Sequence, residues 1–365
     1  MRGFGDKNKK KEKINSNLTK EEILNKAFQY HSRGEVAEAS KYYQFFINQG
    51  FTDHRAFLNS GIILKDLGRL EEAEIWIRRA IKLKPDYALA YHNLGNILIS
   101  QNKLKEAETC FQNVIKINPD FTKSYVNLSN LPYSEANTTW REKLFSESFL
   151  KNKSKNDQLN IYFARANILH KQKKYIKSAR YLKLANKLKL LLFPSNSEEL
   201  ISKSELLLLE SDKKGIVRKE EKDHPQSIFI VGMPRSGTTL IESIISMNNT
   251  VLDLGEINIL EKSFKKWKEN KMMNDLIYFY KQTINKKTQS KITTNKWLYN
   301  YQYAGIICKH IPNSKIIHCQ RNPLDNILSI YRANLAKGNE YSSSLVECAK
   351  VYLNQEAVMN EYKKR

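Results

Sequence analysis

Residues 226–240 have the sequence Gln-Ser-Ile-Phe-Ile-Val-Gly-Met-Pro-Arg-Ser-Gly-Thr-Thr-Leu, and they decide the fold of the C-terminal part of the chain. The apolar run Ile228 to Val231 is typical of a buried parallel strand. The glycines that follow, Gly232 and Gly237, have the spacing of a P-loop, whose backbone amides surround a phosphate. Thr238 stands where an ATP-binding loop carries lysine. The stretch therefore predicts a phosphate-binding loop without the side chain that holds β- and γ-phosphates.

The residue types in this loop indicate which anion it would bind. Gly232 and Gly237 let the backbone approach a ligand closely, and the amides at the start of the next helix point towards an anion. Arg235 adds a planar cation, and Thr238 and Thr239 add hydroxyl donors. No acidic partner for Mg²⁺ is evident. A nucleotide with one 5′-phosphate that carries another transferable group fits this loop better than a nucleoside triphosphate.

The residues after the loop continue a pattern of alternating strands and helices. Lys291 to Thr294 and Lys315 to Cys319 are predicted short strands. Asn322 and Pro323 then form a helix start, with Asn at the N-cap and Pro at the first helical position. Strands that alternate with helices predict an α/β domain with a parallel sheet. One face is shared by Leu240, Ile241, Ile244 and Ile245 in the first helix, and one by Leu324, Ile327, Leu328 and Tyr331 in the last.

An internal repeat precedes this domain. Pro85 and Pro119 are separated by one tetratricopeptide period of about 34 residues. Small residues, Gly61 and Gly95, recur at the same position and would let the two helices of each repeat pack closely. The three copies in register are Ile23, Ala27, Tyr30, Ala39, Tyr43 and Phe46; Phe57, Gly61, Leu64, Ala73, Ile77, Ala80 and Pro85; and Tyr91, Leu94, Gly95, Leu98, Ala107, Phe111 and Pro119. The pattern resembles the tetratricopeptide family and predicts an all-α solenoid.

Composition limits the other classes of function. The chain has 365 residues with 61 Lys and Arg against 38 Asp and Glu, a net charge of +23. The basic residues are spread along the whole length without a nucleic-acid-binding signature, so we expect steering of anionic ligands and no nucleic acid. The four cysteines show no CxxC spacing, which argues against zinc and disulfides and favours the cytoplasm. No apolar run approaches the ~20 residues of a membrane span.

Two motifs carry a resemblance to a known family. The loop from Phe229 to Leu240 resembles the 5′-phosphosulfate loop of sulfotransferases that use 3′-phosphoadenosine 5′-phosphosulfate. Its Pro-Arg-Ser-Gly-Thr-Thr variant is most similar to the tyrosylprotein sulfotransferases and to bacterial proteins that join tetratricopeptide repeats to a sulfotransferase domain. The segment from Ile316 to Asp325 resembles the family's 3′-phosphate site, which implies that Arg321 and Ser329 bind that phosphate. The resemblance implies that the donor's phosphosulfate is bound by Gly232, Pro234, Arg235, Ser236, Gly237, Thr238 and Thr239.

Two further dipeptides extend the resemblance to catalysis. Gly255-Glu256 is similar to the Gly-Glu of the tyrosylprotein enzymes, which implies that Glu256 is the general base. Asn295-Lys296 is similar to their Asn-Lys, which implies that Lys296 lies near the bridging oxygen and the sulfonyl group. Arg235 and Lys296 would stabilise the charge of the transition state, and no metal is required. Trp297-Leu298-Tyr299 departs from the Pro-containing sequence that commonly follows this lysine.

The predicted organisation is that of a multi-domain chain. We predict a disordered basic tail over 1–19, three tetratricopeptide repeats over 20–121, degenerate helical repeats over 122–200, a linker over 201–225 and a P-loop-like sulfotransferase domain over 226–365. In that family a further strand and helices normally follow the second motif. The resemblance therefore predicts a domain that is incomplete at its C-terminal side, as in a truncated chain.

The sequence leaves more than one function open. The first is transfer of a sulfuryl group from 3′-phosphoadenosine 5′-phosphosulfate to a hydroxyl acceptor, on protein tyrosine or carbohydrate. The solenoid would recruit the acceptor, or a protein or peptide partner, through its concave groove. The second is a catalytically incomplete tetratricopeptide scaffold. A nucleotide kinase is disfavoured by Thr238.

Overall fold

The computed structural model describes residues 18–132, 139–212, 226–270, 276–285 and 292–364. The chain divides into two compact units, Met1–Tyr181 and Leu182–Arg365. Most of the predicted basic tail and the second half of the predicted linker lie outside the described residues. Within them, none of the helices is long and apolar enough to cross a membrane.

The first unit consists of helices throughout its described part. The bounds are α1 Lys20–Ser32, α2 Val36–Asn48, α3 His54–Asp66, α4 Leu70–Leu83, α5 Ala88–Ser100, α6 Leu104–Ile117, α7 Thr122–Asn130, α8 Thr139–Phe145, a 3-10 turn Ser148–Leu150, α9 Lys155–Lys171 and the start of α10 Tyr175–Leu192. The predicted small and apolar repeat positions, Ala73, Ile77, Ala80, Leu94, Ala107 and Phe111, are fully or almost fully buried. The all-α repeat architecture predicted for this part is confirmed.

Gly95 shows why the repeat needs a small residue. A Cβ atom added there would lie 2.7 Å from the ring of Phe111, which is fully buried on α6. Gly61 is equivalent, with an added Cβ 2.5 Å from Cγ1 of Ile77 on α4. The two helices of a repeat therefore approach each other too closely for any side chain at this position.

We expect Gly95→Ala to destabilise the first unit. The overlap with Phe111 should cost about 1–3 kcal/mol, and the better helix propensity of alanine should return at most about 1 kcal/mol. Urea unfolding followed by far-UV circular dichroism measures the net loss. The matched control is Ser100→Ala, on the exposed end of the same helix. Equal unfolding midpoints for the two variants would contradict the close packing.

The second unit contains a parallel sheet. Its helices are the end of α10, α11 Ser197–Asp212, α12 Thr238–Ile245, α13 Ile259–Glu269, α14 Leu276–Asn285, α15 Ala304–His310, α16 Pro323–Arg332 and α17 Leu345–Lys364, with 3-10 helices at Leu298–Tyr303 and Glu340–Ser343. The strands are β1 Gln226–Val231, β2 Val251–Asp253, β3 Ile292–Asn295 and β4 Ser314–His318, in the order β2-β3-β1-β4. All pairs are parallel, so the carboxyl ends of the strands share one edge.

Helix α11 corrects the start of the predicted linker at residue 201. The helix continues to Asp212, and Leu207 belongs to the buried core of this unit. The hydroxyl of Ser204 lies 3.3 Å from that of Tyr301 and accepts a hydrogen bond from Gln302 Nε2. The polar composition suggested a linker, but these serine and glutamine side chains satisfy one another inside the core.

The apolar faces of α12 and α16 are not their packed faces. Leu240 and Ile244 on α12 remain 65% and 54% exposed, while Thr238 and Glu242 are buried. On α16, Leu324 and Leu328 are likewise exposed, and Asn326 and Ile330 are buried. Glu242 accepts a hydrogen bond from Thr294 and Asn326 donates one to the carbonyl of Pro234, which offsets the cost of removing these two side chains from water. These bonds connect the helices to the edge of the sheet where the predicted site residues lie.

Candidate functional site

The predicted phosphate loop follows β1 and allows only glycine at its first position. The amide of Cys319, just after β4, donates to the carbonyl of Val231 at 2.8 Å, so the two strand ends lie together. A Cβ atom on Gly232 would lie 2.6 Å from the Cys319 carbonyl oxygen and 2.7 Å from Ser236 Oγ. Gly237 is the N-cap of α12 and has a φ of 100°. The two glycines thus bring the loop against β4 and then start the helix.

The two predicted nucleotide motifs meet in the structure. Arg321 donates from one guanidinium nitrogen to the carbonyl of Arg235 at 3.2 Å. Arg235 in turn donates from Nε to Ser329 Oγ at 3.3 Å. Asn326, which is buried on α16, donates to the carbonyl of Pro234 at 3.0 Å. A chain of hydrogen bonds therefore joins the phosphate loop to Arg321 and Ser329, and both arginines stay exposed.

Helix α17 supports the segment that carries Arg321. Tyr352 donates its hydroxyl to the carbonyl of Arg321 at 3.2 Å. Glu356 accepts from Gln320 Nε2 at 2.5 Å and lies 3.3 Å from Nε2 of His318. Burial lowers the pKa of His318, while the neighbouring carboxylate of Glu356 opposes that shift. Tyr352 and Glu356 lie four residues apart on one face of α17. The sequence shows this spacing, but it does not show which other segment the two side chains contact.

Glu256 and Lys296 form an ion pair. Lys296 Nζ lies 2.9 Å from Glu256 Oε1, with the side chains 11% and 51% exposed respectively. The backbone amide of Lys296 also donates to the carbonyl of Gly255 at 3.1 Å. Gly255 has a φ of 63°, in the left-handed region that favours glycine. The structure thus brings together the two residues to which the family resemblance assigns base catalysis and charge stabilisation.

A second glutamate lies beside this pair and was not predicted. Glu242 on α12 is buried, and its carboxylate accepts a hydrogen bond from Thr294 Oγ1 at 2.9 Å. Its other oxygen lies 3.7 Å from Lys296 Nζ. Burial raises the pKa of Glu242, against the opposing effects of Thr294 and Lys296. The signal in the sequence was a single acidic residue within the apolar helical stretch Leu240 to Ile245.

Asn295 fixes the chain after Lys296. Its Oδ1 accepts from the amide of Trp297 at 3.1 Å and from Asn300 Nδ2 at 2.7 Å. Its own amide donates to the carbonyl of Ile257 at 3.0 Å. The residues Leu298–Tyr303 form a 3-10 helix at this point. The side chain of Asn295 therefore fixes the backbone turn that follows Lys296.

The remaining predicted residues lie in the phosphate loop and at the start of α12. Thr238 is buried and Thr239 is exposed. Ser236 Oγ is buried and has no hydrogen-bond partner among the described residues. No group of three or more His, Cys, Asp or Glu that could hold a metal ion occurs within the described ranges.

Two clusters thus stand at one edge of the sheet. The first holds the loop after β1 with Arg321 and Ser329; the second holds Glu256, Lys296 and Glu242. Because β1, β3 and β4 are adjacent and parallel, their carboxyl ends lie side by side. Ligands of open α/β sheets bind outside this edge. The arrangement defines an α/β domain with an arginine-containing loop cluster and a carboxylate–lysine cluster at the same edge of its sheet.

Comparison with known proteins agrees with this class. Residues 225–364 match the sulfotransferase family, and residues 54–87 and 88–121 each match a tetratricopeptide repeat. The chain therefore contains tetratricopeptide repeats followed by a sulfotransferase-family domain. The predicted fold class is confirmed, and so is the resemblance to tetratricopeptide repeats over 54–121 and to the sulfotransferase family over 225–364.

Individual relatives cover only part of this chain. An uncharacterised protein of Aquifex aeolicus (strain VF5) is 31% identical over 144 residues, which are 33% of this chain and 19% of that protein. The chain thus matches about a fifth of that relative's length. A tetratricopeptide repeat protein from Parabacteroides merdae ATCC 43184 is similar over 52% of this chain and 73% of its own, with 16% identity and a TM-score of 0.39. YrrB, a TPR protein with an unusual peptide-binding site, is similar over 44% and 73%, with 16% identity and a TM-score of 0.31.

Proposed function

We propose that this protein transfers a sulfuryl group from 3′-phosphoadenosine 5′-phosphosulfate to a hydroxyl acceptor. The observation that carries the proposal is the hydrogen-bonded chain from Arg321 through the carbonyl of Arg235 and from Arg235 to Ser329. It joins a phosphate loop to a second cationic segment, as a nucleotide with phosphates at both ends of its ribose requires. The sulfotransferase-family match over 225–364 supports the same donor.

The donor would contact both segments that these hydrogen bonds join, the phosphate loop and the segment of Arg321 and Ser329. In our proposal the amides of the loop and of the α12 N-terminus hold the 5′-phosphosulfate, together with Ser236 of the same loop. Arg321 and Ser329 hold the 3′-phosphate through charge-assisted hydrogen bonds. Thr238, which stands at the lysine position of an ATPase loop, is buried. A γ-phosphate would therefore lack its usual cation.

The transfer step follows from the second cluster. Glu256 takes the proton of the acceptor hydroxyl as its oxygen attacks the sulfur in line with the leaving group. A new O–S bond forms, the bond between sulfur and the bridging oxygen breaks, and 3′-phosphoadenosine 5′-phosphate leaves. Lys296 and Arg235 stabilise the negative charge on the sulfonyl and bridging oxygens. The half-exposed position of Glu256 lets an acceptor reach it from solvent.

For the repeat region we propose binding of an extended polypeptide that presents the acceptor. Asn59, Asn93 and Asn127 recur at the same place in successive first helices of the repeats, about 34 residues apart. Asn127 donates to Asn96 on the preceding first helix at 2.9 Å. Asn59 donates to the hydroxyl of Tyr43 and the buried Asn93 to the carbonyl of Leu89, so in our proposal the half-buried Asn59 and Asn127 accept from the main chain of the peptide through their carboxamide oxygens. The four cysteines carry no disulfide, in keeping with the cytoplasmic location that we propose.

Calorimetric titration of the full chain tests the donor assignment. We expect 3′-phosphoadenosine 5′-phosphate to bind at least about tenfold more tightly than ATP or adenosine 5′-phosphate, because each charge-assisted hydrogen bond to the extra phosphate contributes about 1.5–3 kcal/mol. Tighter binding of ATP would overturn the proposal. Transfer of ³⁵S from the labelled donor to tyrosine peptides and to carbohydrates then identifies the acceptor. Nucleotide binding without transfer to any acceptor would favour the scaffold function.

A further inference from the structure

We propose that Glu242 is a positioning residue that keeps Lys296 in place when the lysine exchanges its contact with Glu256 for a contact with the donor. This inference rests on the proposed sulfuryl transfer. Lys296 lies between two carboxylates, that of Glu242, which is buried, and that of Glu256, which is half-exposed. The family resemblance assigns roles to Lys296 and Glu256 and none to Glu242.

Glu242 is held rigidly. Its side chain is only 5% exposed, and it is fixed at one end by the middle of helix α12. At the other end Thr294, which is fully buried on β3, donates its hydroxyl to the carboxylate at 2.9 Å. A backbone hydrogen bond from Gly255 also favours the charged form of Glu242. These contacts tie the phosphate-loop helix to the strand that carries Lys296 and to the loop that carries Glu256.

Glu256, in contrast, can move. It is 51% exposed, and its contact with the lysine is the shorter one, at 2.9 Å against 3.7 Å for Glu242. While the pair is intact, Oε1 of Glu256 is engaged by the ammonium and is not free to take a proton from an acceptor. A base at this position must therefore be released before it accepts a proton. An anionic donor beside Lys296 competes for the ammonium and releases the mobile partner, while the buried partner stays.

The charge balance explains why a second carboxylate is useful. Suppose that Glu256 were the lone carboxylate beside Lys296, whose side chain is almost buried. Release of Glu256 would then leave only the oxygens of the donor to fix the position of the lysine. Glu242 keeps one contact constant through the exchange. The charged groups that face Glu242 are Lys296, Asp253 at the end of β2 and, across the lysine, Glu256. All of these groups have to be considered when a response of this cluster to pH is interpreted.

The test follows the chemical reactivity of Lys296, which needs no acceptor. Competitive acetylation of the full chain, read by mass spectrometry, reports how strongly the ammonium is held, since only the neutral amine reacts. We expect Glu242→Gln to raise the labelling rate of Lys296 about fivefold relative to the exposed Lys315 in the same molecule. Thr294→Ser should keep the wild-type rate, and Thr294→Val should raise it.

The matched control is Glu269→Gln, an exposed glutamate at the end of α13. Binding of 3′-phosphoadenosine 5′-phosphate to Glu242→Gln should stay within about threefold of wild type, because Arg235, Arg321 and Ser329 do not contact Glu242. Unchanged labelling of Lys296 in Glu242→Gln would overturn the inference, as would a rise shared by all buried lysines. A wild-type protein that fails to bind this nucleotide would instead overturn the proposed function, whatever the labelling shows.

Discussion

Arg321→Ala is expected to weaken binding of 3′-phosphoadenosine 5′-phosphate by about 100-fold and binding of adenosine 5′-phosphate by less than about threefold. A charge-assisted hydrogen bond contributes about 1.5–3 kcal/mol, and the guanidinium of Arg321 is exposed and able to form two of them with a phosphate. The nucleotide without the 3′-phosphate lacks the group that this arginine would bind. Calorimetric titration of both nucleotides against variant and wild type gives the ratio.

The control must separate phosphate binding from support of the loop. Arg321 also donates to the carbonyl of Arg235, so its removal frees one loop contact. Tyr352→Phe removes the hydroxyl that supports the Arg321 backbone without removing a charge. It should weaken both nucleotides by similar small factors. Lys315→Ala, on the exposed side of β4, should change neither. Equal losses for the two nucleotides in Arg321→Ala would contradict a 3′-phosphate role.

The sequence predicted the strands and the loop because their signals are local. Strands β1, β3 and β4 lie within two residues of the predicted runs, and the buried glycine position at 232 follows from the P-loop spacing. Strand β2, Val251–Asp253, was not predicted, since three residues give no periodicity to detect. The repeats were predicted for a different reason: the same small residues recur at a fixed period, so each copy confirms the others.

Contacts across the sheet could not be predicted in the same way. Glu242 meets Thr294 and Lys296 only because the fold brings a side chain of α12 to the end of β3. Glu356 meets Gln320 only because α17 returns to β4. In the sequence these residues are single polar positions, for which a solvated surface is the usual environment. The apolar residues of α12 predicted the wrong packed face for the same reason. Hydrogen bonds to the edge of the sheet, and not the apolar residues, determine which face of α12 is buried.

Glu256→Gln is expected to lower the rate of sulfuryl transfer by about 10²–10⁴-fold, the usual contribution of a general base. The amide keeps the size of the side chain and can still accept a hydrogen bond from Lys296, so the fold and nucleotide binding should persist. The measurement is single-turnover transfer of ³⁵S from the labelled donor to the acceptor that the wild type sulfates fastest. Calorimetric binding of 3′-phosphoadenosine 5′-phosphate should stay within about threefold of wild type, which separates the chemical step from donor binding.

Chemical rescue makes this assignment sharper. Glu256→Ala should be as slow as Glu256→Gln, but added formate should restore part of the rate in the alanine variant alone. The side chain is half-exposed, so its removal opens a path from solvent for a small carboxylate, whereas glutamine fills the space. His318 is an alternative base by residue type, but its ring is largely buried beside Glu356. A Glu256→Gln variant that retains more than about a third of the wild-type rate would assign proton removal to another group.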